Sequence, residues 1–220
     1  MKLSITEENY LKAIFSLSNN NKKTVNTNQI AEHLAMKPAS ITDMVKKLST
    51  KKLVLYEKYK GTSLTTLGEK IALSVIRKHR LWETFLVEKL SFKWDEVHEL
   101  AEQLEHINSQ ELVKRLDDFL GNPKFDPHGD PIPDENGIVD FKLSTVLSSL
   151  AVQEKGTVMG VNDSTDLFLK YLNKLGISLG TKIVVIEKIP FDSSLEIVID
   201  DLPTSLIISA EVANNIYLNK

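Results

Sequence analysis

The sequence of 220 residues contains no cysteine. Disulfide bonds, thiolate zinc sites and cysteine nucleophiles are therefore excluded. The chain also has no apolar run of membrane-spanning length, and its first residues, MKLSITEENY, lack the apolar core of a signal peptide. These absences predict a cytoplasmic protein with no membrane partner.

The motifs of several common enzyme classes are also missing. The sequence has no phosphate-binding loop, dinucleotide-binding fingerprint, nucleophile elbow or H-E-x-x-H zinc motif. We therefore expect neither catalysis nor a small organic substrate. With 42% hydrophobic residues, the chain is long enough to bury one large core or two smaller ones.

Charge is distributed unevenly, although the net charge is only −3. Residues 1–75 contain 12 Lys and Arg against 6 Asp and Glu, whereas residues 76–145 contain 9 against 15. A basic N-terminal third beside an acidic centre favours a polyanion partner for one region and cations for the other. Ordinary variation of surface charge is the alternative.

The N-terminal third has the pattern of a DNA-reading domain. Hydrophobic periodicity predicts helices at about 6–18, 26–35 and 38–49, and alternation predicts a hairpin within residues 53–68. Ser4 and Glu7 have the spacing of a capping box. Two short helices joined by a tight turn and followed by a basic hairpin are the elements of a winged helix-turn-helix.

In that arrangement the second helix of the pair enters the major groove. Its lysines would neutralise phosphates, and its small side chains would allow close approach to base edges. The candidate DNA-binding residues are Lys37, Pro38, Ala39, Ser40, Thr42, Asp43, Lys46 and Lys47, with Lys58 and Lys60 on the hairpin. A plain three-helix bundle whose lysines serve solubility is the alternative.

The acidic centre contains a cluster of potential metal ligands. The segment WDEVHELAEQLEHINSQEL, residues 94–112, is interpreted as containing a helix on which His98, Glu102, Glu105 and His106 fall within roughly 100° of arc. Asn108 and Glu111 have the capping-box spacing that begins the next helix. Clustered carboxylates raise one another's pKa, and a divalent cation removes that penalty. The pattern predicts a metal site, with a solvated acidic face as the alternative.

A preceding long helix offers two further ligands. Thr66 and Glu69 have capping-box spacing, and the helix is predicted to reach about Leu90. His79 and Glu83 share one of its faces at i, i+4.

A change of composition marks a domain boundary at residues 121–137, which hold four of the seven prolines. Beyond it, GTVMGVN, TKIVVIEKI, SLEIVID and SLIISAEV are predicted strands, and one helix is predicted at about 164–175, ending at Gly176. A small β-rich barrel fits this pattern. Composition leaves open whether the Pro-rich segment binds that barrel in cis.

Residues 4–135 resemble the diphtheria toxin repressor family of metal-dependent regulators, especially its manganese-responsive branch. The motifs that carry the resemblance are ITEENYLKAIF, MKPASITDMVKKL, RKHRL, VHELAEQLEH and NPKFDPHGDPIP. The resemblance implies a mainly α fold with a β-rich C-terminal part. It places a winged helix-turn-helix domain at 1–73, a helical metal-binding and dimerisation domain at 74–140 including linker 121–137, and an SH3-like (FeoA-like) small β-barrel at 145–220.

The resemblance also implies a primary metal site and a preferred metal. Its ligands would be Asn9, His79, Glu102, Glu105 and His106. Iron-responsive relatives have a sulfur ligand at the position of Glu102, so an oxygen here implies Mn2+, with Fe2+ as the alternative and other divalent ions as substitutes in vitro. At the position of Asn9, members of the manganese branch usually have an acidic residue.

A secondary site is implied in one of two forms. The iron branch would build it from His79, Glu83 and His98, and some manganese relatives from Glu83, Asp126, His128 and an acid best matched by Asp163. Asp163 also suits the N-cap of the following helix. His33 is predicted to be a surface histidine, and Trp82 and Trp94 core or dimer-interface residues.

The implied function is that of a homodimeric repressor, which Mn2+ activates to bind a palindromic operator in double-stranded DNA. One alternative is a winged-helix regulator that senses a non-metal ligand or a protein. The other is a di-metal carboxylate enzyme, which is disfavoured because the chain lacks a pair of Glu-x-x-His motifs.

Overall fold

The computed structural model describes residues 3–57, 60–139, 145–163, 165–200 and 204–219. The chain forms two compact units. The first comprises Met1–His79, Glu102–Gln110 and Pro133–Val139, and the second comprises Arg80–Ala101, Glu111–Ile132 and Asp140–Lys220. Within the described ranges, every helix is too short or too polar to cross a bilayer.

The first unit consists of helices and one hairpin, in the order expected for a winged helix-turn-helix. Its elements are α1 (Ile5–Leu17), α2 (Thr27–His33), α3 (Pro38–Thr50), β1 (Val54–Glu57), β2 (Gly61–Leu64) and the first part of α4 (Thr66–Leu90). The capping box predicted for α1 is confirmed, since Ser4 accepts from the backbone of Glu7 and the Glu7 carboxylate accepts from the backbone of Ser4.

A continuous apolar core holds these elements together. It includes Leu11 and Ile14 from α1, Ile30 from α2, and Ile41 and Leu48 from α3, all with no solvent exposure. These side chains recur at helical spacing, so each helix presents one apolar stripe to the centre. The exposed faces of α2 and α3 are left for other contacts.

Gly61 fixes the hairpin beside the loop that precedes α2. Its φ is +102°, and a Cβ there would lie 2.9 Å from the carbonyl oxygen of Val25. Val25 pairs with Thr62 through two backbone hydrogen bonds of 2.8 Å each. The backbones approach closely here because position 61 has no side chain.

The capping box predicted at the start of α4 was wrong. Thr66 is already the first helical residue, and the hydroxyl of Thr65 accepts a hydrogen bond from the backbone of Gly68 at 3.1 Å. The Glu69 carboxylate accepts instead from the Asn21 amide at 3.0 Å. Because Thr65 and Thr66 are adjacent and either could cap the helix, the sequence pattern left the position of the N-cap uncertain by one residue.

The second unit begins with the remainder of α4 and contains a small helical core. A short 3-10 helix (Trp94–Glu96) precedes α5 (His98–Leu104), whose last three residues belong to the first unit, and α6 (Gln110–Phe119) follows. Leu81, Leu116 and Ile132 are buried together in this core. The helix interpreted within residues 94–112 ends earlier than its apolar pattern, because α5 stops at Leu104. The separate helix predicted to begin near Asn108 is α6.

The C-terminal part is a six-stranded antiparallel sheet with two helices, which confirms the predicted β-rich fold. The strands are β3 (Thr145–Val146), β4 (Lys155–Val161), β5 (Lys182–Lys188), β6 (Leu195–Ile199), β7 (Ser205–Ile208) and β8 (Ile216–Asn219), in the spatial order β3-β8-β4-β5-β6-β7. The helices are α7 (Asp166–Leu175) and α8 (Ala210–Asn214). Gly176 ends α7 in the left-handed conformation, as predicted.

Part of the Pro-rich segment is an ordered loop that packs against β4. The backbone of Val161 donates to the carbonyl of His128 at 2.7 Å. A Cβ on Gly129 would lie 2.2 Å from the Cα of Gly160. Two facing glycines therefore allow direct contact between the loop and the strand, so the segment does contact the C-terminal sheet.

A buried carboxylate links α1 to α3 in the first unit. Glu7 is 2% exposed, and its Oε1 lies 2.6 Å from the Nζ of Lys51 and 3.1 Å from the Nζ of Lys47. The hydrogen bond from Lys51 is the main reason that the pKa of Glu7 is lowered from 4.5 to about 2. The ionised carboxylate thus stabilises the folded chain.

Replacing Glu7 with Gln is expected to lower the free energy of unfolding at pH 7 by about 1 kcal/mol. Gln retains the capping box, so the change isolates the charge. Because the folded-state pKa is depressed, the contribution is present above pH 4.5 and is lost as pH falls toward 2. Urea unfolding at several pH values measures the difference between the two proteins.

Glu57→Gln provides the control, because Glu57 pairs with Lys60 on the exposed hairpin. Its effect should stay within a few tenths of a kcal/mol, of the order usual for exposed pairs. A Glu7→Gln effect of equal size at pH 7 and pH 2.5 would contradict the assignment.

Candidate metal centres

The first cluster of candidate ligands is centred on Glu105, whose side chain is 1% exposed. Its Oε2 lies 2.6 Å from the Nδ1 of His79 and 2.6 Å from the Nζ of Lys12. Burial raises the pKa of Glu105, but the hydrogen bond from His79 and the charge of Lys12 lower it more, so the net pKa lies below its usual value. This carboxylate is therefore ionised and held by residues of α1 and α4.

His106 connects Glu105 to a second carboxylate. Its Nδ1 lies 2.6 Å from the Oε2 of Glu8, and its Nε2 lies 3.6 Å from the Oε1 of Glu105. The two oxygens of Glu105 thus face different partners, with His106 on the Oε1 side and both His79 and Lys12 on the Oε2 side.

Asn9 and Glu102 complete the first cluster, which is Glu8, Asn9, His79, Glu102, Glu105 and His106. The Oδ1 of Asn9 is buried and has no hydrogen-bond partner among the described residues. Leaving a buried acceptor unsatisfied costs about 1–3 kcal/mol, a cost that coordination of a cation would remove. The Glu102 side chain is 55% exposed, and its Oε1 lies 3.8 Å from the Nζ of Lys12. These oxygen and nitrogen donors fit a divalent cation.

Sequence reasoning missed Glu8 as a member of this cluster. A glutamate next to Asn9 in the first turns of a helix is ordinarily exposed, whereas Glu8 is 7% exposed. One sequence signal could have found Glu8: it lies four residues before Lys12, and residues at i and i+4 share one face of a helix.

His98 does not share one helix with Glu105 and His106, whereas it does lie beside Glu83, the other residue with which it was grouped. His98 begins α5, and its Nδ1 lies 3.4 Å from the Oε1 of Glu83. Glu105 and His106 follow the end of α5 and occupy a turn. The predicted common arc was wrong because it assumed that the helix continued.

The second cluster lies in the second unit and consists of Glu83, Asp126 and His128, all buried. One candidate ligand atom from each lies within 4.8 Å of the others. The Nε2 of His128 lies 2.8 Å from the carbonyl oxygen of Trp94, to which it can donate. Nδ1 faces Glu83 at 3.5 Å and Asp126 at 4.0 Å, and it can act as a ligand once a cation displaces its proton.

Electrostatics in the second cluster favour an added cation. Burial, together with the charges of Glu83 and Asp130, raises the pKa of Asp126 to about 7. Burial is the largest single influence and lowers the pKa of His128, but the hydrogen bond and charge of Glu83, with the charge of Asp126, together outweigh it and raise the pKa to about 9. Arg80 compensates only partly, with its Nε 3.6 Å from the Oδ2 of Asp126.

Asp163 is not part of either cluster among the described residues. Its Oδ1 accepts a hydrogen bond from the backbone of Thr165 at 2.9 Å, and Thr165 is the N-cap of α7. The N-cap role considered for Asp163 was therefore wrong by two residues.

The residues predicted to contact DNA lie on and before α3 and on the hairpin. Lys37, Pro38, Ala39, Ser40, Asp43, Lys46, Lys47 and Lys60 are exposed, and Thr42 is half-buried. Lys47 also pairs with Glu7, and Lys60 pairs with Glu57 at 2.6 Å. Lys58 lies outside the described residues.

The other singled-out residues occupy ordinary positions. His33 is exposed at the end of α2. Trp94 is buried in the core of the C-terminal sheet, where its Nε1 donates to Asn173 and its ring stacks on His128. Trp82 packs edge-to-face against Phe85 beside the small helical core.

Comparison with family models gives three matches along the chain. Residues 2–62 match the N-terminal DNA-binding domain of iron-dependent repressors. Residues 65–134 match the metal-binding and dimerisation domain of iron-dependent repressors. Residues 145–220 match the FeoA domain.

The curated proteins similar to this chain include two repressors. The iron-dependent repressor IdeR of Mycobacterium leprae is 34% identical over 136 residues, which are 62% of this chain and 57% of that protein. The match thus spans little more than half of the mycobacterial relative. The diphtheria toxin repressor of Corynebacterium diphtheriae is 26% identical over 194 residues, 83% of this chain and 85% of that protein.

The chain is similar to solved structures over nearly its whole length. A manganese-dependent transcriptional repressor in complex with manganese is 33% identical, with a TM-score of 0.81 over 96% of this chain and 98% of that one. The manganese regulator SloR is 35% identical, with a TM-score of 0.73 over 97% of this chain and 98% of that one.

Replacing Glu8 with Gln is expected to weaken Mn2+ binding by the first cluster about tenfold or more, because one charged donor beside His106 is lost. The free Mn2+ signal in an electron paramagnetic resonance titration measures this affinity. Glu32→Gln is the matched control, since Glu32 is exposed on α2. Unchanged affinity in Glu8→Gln, with a loss in Asn9→Ala, would assign the α1 ligand to Asn9 alone.

Proposed function

The chain belongs to the iron-dependent repressor family, to which its helical motifs pointed, and on that premise we propose that it is a metal-dependent, DNA-binding transcriptional repressor. Its relatives in this family are repressors rather than enzymes, which removes support from the di-metal enzyme. A repressor acts where the operator is, so we expect the protein in the cytoplasm.

The observation that carries the proposal is the position of α1 between the first cluster and α3. Glu8 contacts His106, while the adjacent Glu7 binds Lys47 and Lys51 of α3. Any change that fixes α1 against the turn at residues 105–106 is therefore transmitted to the helix that would read DNA. The two contacts come from neighbouring residues of one rigid helix.

The first cluster would hold the activating ion, with Glu8 or Asn9 from α1, His79 from α4, and Glu102, Glu105 and His106 near the end of α5. A divalent cation supplies there a positive charge that attracts all of these donors at once. Oxygen and imidazole donors without sulfur favour Mn2+, with Fe2+ as the alternative. The ion must bind the DNA-competent state more tightly than the other state, or it shifts nothing.

The second cluster would be a secondary metal site within the loop that packs against β4. Its ligands would be Glu83, Asp126 and His128, while the hydrogen bonds of Asp126 to the backbones of His128 and Asp130 shape the loop. His98, 3.4 Å from Glu83, and Asp163 are retained as further candidate ligands of this site. The ion would stabilise the contact between the loop and the C-terminal sheet.

We propose that residues 1–73 bind DNA, residues 74–140 bind metal and dimerise, and residues 145–220 stabilise the assembly. Several apolar side chains of the second unit remain exposed near α4 and α6, namely Leu90, Phe92, Leu112 and Phe119. A second copy of the chain would cover them. Two-fold symmetry would place the recognition helices roughly 34 Å apart on a palindromic operator.

The remaining alternative is a regulator of the same fold that senses a non-metal ligand. The buried acceptor of Asn9 and the buried carboxylates favour a cation over an organic molecule. Chelation separates the two, because EDTA would abolish specific DNA binding only if a metal is required.

Replacing Glu102 and His106 together with Ala is expected to abolish Mn2+-dependent operator binding, since the first cluster loses two donors. The measurement is a gel-shift titration against the chain's own promoter region with Mn2+, Fe2+, Zn2+ or EDTA. Glu211→Ala, an exposed site on α8, is the control and should bind as the unmodified protein does. Metal-dependent binding that survives the double substitution would remove the assignment of the site.

Replacing Lys46 with Ala is expected to weaken binding about equally for specific and unrelated DNA, because its ammonium would contact phosphate. The slope of log affinity against log salt should fall by about 1. Lys174→Ala, exposed on α7, serves as the control and should leave the slope unchanged. Loss of sequence preference without a change of slope would instead indicate a base contact.

A further inference from the structure

Met36 lies in the turn that joins α2 to α3. The turn includes Ala35 in the left-handed conformation, at φ +50°, and it ends at Lys37, the N-cap of α3. The backbone of Met36 donates to the carbonyl of Ala31 at 2.9 Å. Lys37 and Pro38, which follow directly, are candidate DNA-binding residues. The position of Met36 therefore affects where the recognition helix begins.

The sulfur of Met36 is held from its buried side. The hydroxyl of Tyr10, a residue of α1 that is 1% exposed, donates to the Sδ of Met36 at 3.5 Å. Burial raises the pKa of Tyr10, so the phenol stays protonated and remains a donor. A thioether is a weak acceptor, so this bond depends on the electron density of the sulfur. The contact joins α1 to the turn before the recognition helix.

The other side of the Met36 side chain is open to solvent. Met36 is 40% exposed, whereas Met44 and Met159 are half-buried, and Met44 packs against the core of the first unit. A thioether sulfur has two lone pairs, of which Tyr10 engages one and leaves the other accessible from solution. Exposure favours oxidation, so an oxidant meets the sulfur of Met36 before those of Met44 and Met159.

We propose that Met36 is an oxidant-sensitive modification site, at which a peroxide converts the thioether to the sulfoxide and thereby weakens DNA binding. The outward lone pair of sulfur attacks one oxygen of hydrogen peroxide, so that an S–O bond forms and the O–O bond breaks. The proton of the transferred oxygen passes to the leaving hydroxide, which departs as water. Sulfur loses two electrons and the peroxide gains them. The effect on DNA rests on the proposed function, whereas the modification itself does not.

Oxidation removes the acceptor on which the Tyr10 hydroxyl depends. In a sulfoxide the sulfur carries a partial positive charge, and the oxygen carries a partial negative charge. Here the oxygen points to solvent, away from Tyr10, so the buried hydroxyl faces an electron-poor sulfur. A buried donor without an acceptor destabilises the arrangement that buries it. The turn is then no longer held against α1, and Lys37 and the first turn of α3 lose their fixed position.

The same geometry determines the chirality of the product. Because Tyr10 covers one lone pair, oxygen adds to the other, and one sulfoxide epimer of Met36 should be in excess. Each of the two classes of methionine sulfoxide reductase reduces one epimer, so separate treatment with each enzyme measures the ratio. Tyr10→Phe keeps the ring and removes the hydroxyl, so its ratio should be more even. An even ratio in the unmodified protein would contradict the proposal.

The test treats full-length protein with hydrogen peroxide in EDTA, removes both, and measures operator binding by gel shift with added Mn2+. Peptide mass spectrometry should show Met36 oxidised about tenfold faster than Met44. Operator affinity should then fall about fivefold or more, the equivalent of one lost buried hydrogen bond, and a sulfoxide reductase should restore it. Equal oxidation rates, or a loss that reduction does not reverse, would overturn the proposal.

The double variant Tyr10→Phe/Met36→Leu is the matched control. It has neither the thioether nor the hydroxyl that needs it, and Leu has nearly the volume of Met, so peroxide should leave its operator affinity unchanged within about twofold. Met44→Leu retains Met36 and should lose affinity as the unmodified protein does. A double variant that loses as much affinity as the unmodified protein would place the damage elsewhere and contradict the proposal.

These outcomes separate the inference from the function on which it rests. If the unoxidised protein binds no operator DNA with Mn2+, the proposed function fails, while the selective oxidation of Met36 and its epimer ratio can still be measured. If operator binding is present and stays unchanged when Met36 is fully oxidised, only the inference fails.

Discussion

The buried carboxylate of Glu105 is the interaction on which the first unit depends. Burying a charge costs several kcal/mol unless opposite charges and hydrogen bonds compensate it. Here the compensation comes from Lys12 of α1 and His79 of α4, both 2.6 Å away. Because the carboxylate follows α5, three segments that are far apart in sequence must meet for it to remain buried. The packing of α1 therefore depends on the cations present at this point.

In the proposed repressor, the same contacts would connect metal binding with DNA recognition. Successive residues of α1 serve two purposes, since Glu7 binds the lysines of α3 and Glu8 contacts His106. A helix is stiff over one turn, so its attachment at one side constrains the other. The sensing of a cation and the placement of the recognition helix can thus be linked without a long chain of contacts.

The sequence patterns predicted the local structure well where a periodic stripe or an end signal was strong. The capping box of Ser4 and Glu7 and the end of α7 at Gly176 are examples, because each depends on residues within one turn. Patterns failed where the chain had two near-equal choices, as at Thr65 and Thr66, or where a helix stopped before its amphipathic pattern did. Because α5 ends at Leu104, the side chains of Glu105 and His106 point in different directions from those that a continued helix would give, and they do not share a face with His98.

The sequence by itself determined the fold class, the presence of a DNA-reading helix pair and the residue types of a candidate cation site rich in oxygen and nitrogen donors. These follow from hydrophobic periodicity, charge and motif spacing, which are local properties of the chain. Only the tertiary structure decided that Glu8 faces His106, that Lys12 lies beside Glu105, and that His128 is turned by the carbonyl of Trp94. Such contacts join residues about 30 to 100 positions apart, and their existence depends on how whole helices and loops pack.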